Sequence, residues 1–139
     1  MDDGTPGPIL REPDYPFQRH MGFYMTAWTP DRAVFELPMG EYLHNRYGIP
    51  HGGVYAVLLD TVMGYAGCYT GDLAVRRKAM TLSLTTNFLA RPAGDVLIAE
   101  GRRTGGGKSS FFAEGRITDA AGALVASGTG VFRYTSVGN

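Results

Sequence analysis

The chain has 139 residues, 44% apolar and 19% charged, with thirteen Lys and Arg against thirteen Asp and Glu and so no formal net charge. One domain's length and an ordinary globular mix exclude a disordered or fibrous chain, and the balanced charge removes the basic excess of a nucleic-acid binder. A single cysteine excludes an internal disulfide, and no apolar run reaches the roughly 18 residues of a bilayer span, so the composition predicts a soluble cytoplasmic protein without a membrane segment.

The N-terminus carries acids where a secretory signal carries bases, and no apolar core follows. Residues 1–16 are rich in proline and lack a hydrophobic period, which predicts a loosely ordered arm ahead of a single domain over residues 17–139. Residues 17–23 suit a short helix. Ala33, Val34, Phe35, Glu36 and Leu37 read as a strand between Asp31 and Pro38, and a polar loop leads to Pro50.

Residues 53–70, GVYAVLLDTVMGYAGCYT, are apolar almost throughout and carry one charge, Asp60. Eighteen residues are too many for one strand and predict a helix of about 26 Å at roughly 1.5 Å per residue, apolar all round and so buried on all sides. Gly64 and Gly67 each cost such a helix about 1 kcal/mol and are tolerated where another backbone packs close.

Strand patterns follow at 80–88, 96–103, 110–118 and 123–134, separated by turns at 91–95 and 119–122 and a triple-glycine hairpin loop at 105–107. The first of them alternates Met80, Leu82, Leu84, Thr86 and Phe88 with Thr81, Ser83, Thr85 and Asn87, a period of two. The economical architecture is α+β: an antiparallel sheet of about five strands, the last four a meander, wrapped around one long central helix. A sheet face left uncovered predicts a dimer at least.

Familiar signatures fail. In TGGGKSS a phosphate loop requires glycine at 102, where Arg102 sits, and no helix pattern follows. No G-x-S-x-G or H-E-x-x-H is present, and His20, His44 and His51 lack metal-ligand spacing, so no metal is expected. Two features carry chemistry. Gly52 and Gly53 open the helix, where the first amides lack partners and sit at the positive end of the dipole, able to polarise a carbonyl; the bland alternative is a tight loop-to-helix turn. Asp60 is the helix's only charged residue at neutral pH, among Leu58, Leu59, Val62 and Met63; the bland alternative is a carboxylate that ties down a loop. Eight residues separate Gly52 from Asp60, about 12 Å of helix, too far for one reacting centre to touch both. Two antiparallel helices from two chains would bring one glycine against the other acid.

The pattern His44-Asn45…Gly48…His51-Gly52-Gly53…Asp60, with Asn87-Phe88-Leu89 and Arg91-Pro92 downstream, resembles the hotdog-fold acyl-CoA thioesterases of the phenylacetate-degradation type, over roughly residues 17–135. The resemblance implies Asp60 as the carboxylate acting on water or on the thioester carbonyl, and Gly52, beside Gly53, as the backbone donor to that carbonyl. Asn45 becomes the orienting side chain, His51 its neighbouring imidazole, and Thr81 the strand hydroxyl facing the acid, with Ser83 as the alternative. It implies hydrolysis of an acyl-CoA by a homodimer assembling to a homotetramer, coenzyme A being part of the substrate and no cofactor being needed. The coenzyme's phosphates need cations, which Arg102, Arg103 and Lys108, or Arg76, Arg77 and Lys78, could supply. The acyl group is expected along the helix–sheet seam near Tyr47, Leu59 and Met63. Two competing readings are a non-hydrolytic acyl-thioester binding or sensing module on the same fold, and a hotdog dehydratase.

Overall fold

A computed structural model describes residues 9–135. In chain order the elements are α1 (Pro16–Met21), β1 (Tyr24–Thr29), β2 (Arg32–Pro38), a single 3-10 turn (Glu41–Leu43), α2 (Gly52–Ala66), β3 (Ala79–Phe88), β4 (Val96–Gly106), β5 (Ser110–Asp119) and β6 (Leu124–Tyr134). The strands form one antiparallel sheet in the order β1-β2-β4-β5-β6-β3, and α2 packs across it, in contact with all six strands. This is the hotdog architecture.

Four details depart from the sequence-based expectation. The sheet has six strands, because Tyr24–Thr29 is a strand whose register shifts between Met25 and Ala27. That bulge puts Met25 and Trp28, three apart, both into the core and hides the period of two. Only β4, β5 and β6 form a meander; β3 lies at the far edge, paired with β6 and not with β4. The helix stops at Ala66, with Gly67 as its C-cap, four residues before the predicted end. Strand β4 runs through Gly105 to Gly106, so the hairpin turn is Gly107, Lys108 and Ser109.

Why the helix sits so close to the sheet follows from the glycine excess. Gly101, Gly115 and Gly128 are directly opposed across β4, β5 and β6. A Cβ on Gly101 would stand 2.3 Å from the Val62 carbonyl oxygen of α2, while one on Gly115 or Gly128 would strike the Leu59 side chain at 2.9 or 3.2 Å. Leu59, Val62 and Met63 are fully buried against this row. Backbone cannot turn aside as a side chain can, so Gly101→Ala is expected to destabilise the fold by about 3 kcal/mol or more. A urea titration checks this; a midpoint unchanged from wild type would contradict it.

The helix is not buried on all sides. Val54, Tyr55, Leu58, Leu59, Val62, Met63 and Ala66 face the sheet, whereas Ala56, Val57, Asp60, Thr61 and Gly64 form a half-buried stripe along the opposite side. Across the sheet, the buried carboxylate of Asp119 accepts hydrogen bonds from the backbone N–H groups of Ala93, Ala123 and Ala121 at 2.9, 2.9 and 3.0 Å. Those donors, Ala93 foremost, hold its carboxyl below the usual carboxylate range and tie the 91–95 turn to the β5–β6 hairpin.

Candidate active site

Strand β3 and helix α2 meet at Asp60. The Thr81 hydroxyl donates to Asp60 Oδ1 at 2.6 Å, leaving Oδ2 for another partner. The pairing depends on a local irregularity: register shifts between Thr81 and Ser83, so Leu82 is an extra residue in β3. Thr81 opposes Phe132, on the helix side of β6, while Ser83 opposes Val131 on the other face. The bulge therefore separates the two candidate hydroxyls that a strict period of two would place on one face.

A cleft of about 410 Å³ surrounds this pair, within the range of small-molecule sites. Its walls come from Asp60, Thr61 and Gly64 on α2, Thr81 and Ala79 on β3, and Phe132 on β6. Glu12 and Tyr15, from the segment expected to be a loose arm, close another side. Tyr15 is held by its edge against the Phe23 ring, centroids 6.2 Å apart. Burial, reinforced by the Asp60 charge, keeps its phenol protonated above the ordinary range. Sequence reasoning passed over Tyr15 because an aromatic among prolines gives no periodic signal. Cys68 also borders the cleft, but burial pushes its thiol up to about 11, so at neutral pH it holds its proton and is no thiolate nucleophile.

At the other end of α2, His51 is the N-cap. Its Nδ1 accepts from the Gly53 N–H at 2.8 Å and its carbonyl from the Val54 N–H at 2.9 Å. Gly53 is thus engaged, and Gly52, the first helical residue, has no recorded partner for its N–H among the described residues. The loop before it is braced by Asn45, whose Oδ1 accepts from the Tyr47 and Ile49 N–H groups at 2.8 and 3.4 Å. His51 N–H donates to the Leu43 carbonyl at 2.8 Å, closing the loop at its base. Within one chain Gly52, Asn45 and His51 cluster at the helix tip, and Asp60 with Thr81 lies about 12 Å along the helix, eight residues at roughly 1.5 Å each.

The remaining predicted residues scatter. Leu59 and Met63 are 0% exposed and packed into the core, so the helix–sheet seam is closed and cannot admit an acyl group there. Tyr47 is 68% exposed on the loop, under the Arg46 guanidinium. Arg102 adjoins the helix-facing Gly101, so it points to the outer sheet face, where it pairs with Glu100 at 2.9 Å. Arg103 and Lys108 lie elsewhere, beside Arg77 at the C-terminal end of α2.

The fold is the hotdog architecture, and comparison with known proteins supplies the family. The Thioesterase superfamily model matches residues 47–126, and the chain belongs to that superfamily. Among solved structures it is similar to a conserved protein of Pseudomonas aeruginosa, 26% identical with a TM-score of 0.80 over 88% of this chain and 95% of that one. A Bacillus halodurans protein solved with CoA is 30% identical, with a TM-score of 0.64 over 73% of this chain and 66% of that one. The PaaI protein from the phenylacetic acid degradation operon of E. coli shares the fold, with a TM-score of 0.75 and 21% identity over 86% of this chain and 84% of that one. No protein of curated function matches the sequence. Among the described residues no helix is long and apolar enough to cross a membrane.

Proposed function

We propose that the protein hydrolyses acyl-CoA thioesters to a free acid and coenzyme A at a site shared by two subunits. The observation that carries this reading is the Asp60–Thr81 hydrogen bond at 2.6 Å on the wall of an open cleft. A thioester is already electrophilic, so one carboxylate and one donor to the carbonyl oxygen suffice without a serine triad. Thr81 fixes one carboxylate oxygen, and the other takes a proton from water or attacks the thioester carbon directly.

The donor comes from a second copy. The half-buried stripe of α2 and the unpaired edge of β3, with Met80 59% and Leu82 56% exposed, leave apolar surface that a twofold partner would cover. Antiparallel helices across that axis set Gly52 of the partner subunit against Asp60, with Asn45 and His51 of the partner subunit bracing the loop that presents it. The acyl group then lies between subunits near the exposed Tyr47 of the partner subunit, since the Leu59–Met63 side is packed shut. Two such dimers pairing would give the homotetramer, and the cytoplasm is the compartment this soluble chemistry suits.

Release of free thiol from a panel of acyl-CoAs tests the reading. Hydrolysis yields thiol with at least one acyl group; a pure binding or sensing module binds acyl-CoA and yields none.

A further inference from the structure

Two residues of the cleft stand where local chemistry favours others. Tyr15 is the N-cap of α1, a position that prefers the short polar side chains of Ser, Thr, Asp and Asn. Thr61 sits inside α2, where a hydroxyl competes with the helix, and it donates back to the Val57 carbonyl at 2.7 Å. Both line the cleft, and their side chains meet in a hydrogen bond. The Tyr15 ring packs on Phe23, which packs in turn on Phe35 with centroids 5.8 Å apart, and phenylalanine would serve there equally well. The hydroxyl is what packing leaves unexplained. Its place is fixed: the Arg19 N–H donates to the Tyr15 carbonyl at 3.0 Å, and Gln18, 4% exposed, donates to the Asp14 carboxylate at 3.2 Å.

Counting protons shows what this hydroxyl can offer. The Thr61 proton goes to Val57, so the phenol is the donor to Thr61, and its oxygen keeps lone pairs for another donor. Asp60 precedes Thr61 on α2, near enough for its charge to bear on the phenol, and its Oδ2 is likewise an acceptor. Two acceptors on one cleft call for a ligand with two O–H donors, which is water. A water so held gives one proton to the carboxylate and turns its lone pairs toward the thioester carbon. Other acceptors are engaged or distant. Thr81 is committed to Asp60 Oδ1 and Asn45 Oδ1 to two backbone N–H groups, while the Glu12 charge bears on Tyr65 and Cys68 toward the far end of α2.

We infer that Tyr15 positions the attacking water, its phenol oxygen accepting one O–H while Asp60 Oδ2 accepts the other. The inference rests on the hydrolase reading and deepens it by choosing between its two routes. Asp60 takes one proton as the water oxygen bonds to the thioester carbon, and the other proton stays with the new acid. The C–S bond then breaks, and the departing sulfur collects the proton from Asp60. Tyr15 keeps its own proton on Thr61 throughout.

The experiment is Tyr15→Phe, which keeps the ring on Phe23 and removes only the oxygen. With the acyl-CoA that wild type hydrolyses fastest, kcat is expected to fall about tenfold, the worth of one hydrogen bond, with KM within about twofold of wild type. An unchanged kcat, or a loss confined to KM, would overturn the inference whatever the melting temperature of the variant. A second measurement needs no variant. One turnover of excess wild type in water labelled with heavy oxygen is expected to put label in the released acid and none in Asp60. Label in the peptide that carries Asp60 would mean that the carboxylate itself attacked, and would equally overturn the inference. Absence of thiol release from wild type would instead remove the hydrolase reading, and the water site with it.

Discussion

Asp60→Asn is expected to lower kcat/KM for acyl-CoA hydrolysis by at least about 100-fold while the protein remains folded. The asparagine has the same shape and can still accept from Thr81 through its amide oxygen, so the packing of β3 on α2 survives. What it lacks is a negative charge able to take a proton or attack a carbonyl carbon. The half-buried position of Asp60 also means that removing the charge does not strand a partner cation, because Thr81 is its hydrogen-bond partner. Thiol release by purified variant and wild type, with circular dichroism to verify the fold, measures both halves of the statement. Turnover near the wild-type rate would eliminate Asp60 as the reacting acid.

The second large effect is expected from Gly52→Pro. A backbone donor is ordinarily beyond the reach of mutagenesis, but Gly52 is the first helical residue, the position where proline is most readily accepted because its missing N–H has no helical partner to lose. The residue before it, His51, already sits at φ −61° and ψ 140°, the extended region that a following proline demands. The proline ring would press on Phe88, whose side chain would be 3.2 Å from a Cβ at 52 but is 61% exposed and free to swing outward. The helix should therefore form, lacking one N–H. Loss of a single oxyanion donor costs about 100- to 1000-fold in kcat, and that is the expected deficit. Because the acid and the donor are assigned to different subunits, mixing the Asp60→Asn and Gly52→Pro proteins under exchange conditions should restore activity: a heterodimer has one site with both groups intact. Failure to recover activity in a mixture shown to exchange subunits would mean that one chain supplies both groups.

These assignments draw unequally on sequence and on structure. The apolar run with one acid in it, and the glycine pair ahead of it, pointed to Asp60 and Gly52 because a charge in such surroundings and a bare helix start are both physically expensive or permissive enough to stand out. Strand patterns located β2 to β6, since alternation survives in any regular strand. Alternation says nothing about which strand lies beside which, so it cannot show that β3 pairs with β6 at the far edge and stands outside the meander. The bulges at Met25–Ala27 and Thr81–Ser83 were equally invisible, and with them went β1 and the facing of Thr81. Leu59 and Met63 were expected in an acyl site from their place on the helix alone, but the side that meets the glycine row was not readable before the sheet order was known. Tyr15 and Arg77 reach the cleft from a proline-rich lead-in and an exposed loop, where side-chain direction depends wholly on tertiary packing.

The row formed by Gly101, Gly115 and Gly128 has a bearing on how this scaffold diversifies. Main chain rests on main chain at Val62, so the height of the helix above the sheet is an attribute of absent atoms rather than of any particular aliphatic neighbour. The spacing between acid and strand hydroxyl is inherited from that contact. Exchanges among bulky interior residues can then be absorbed without tilting Asp60 against Thr81, and the cleft wall can change at the proline-rich lead-in while the alignment proposed for hydrolysis stays as it was.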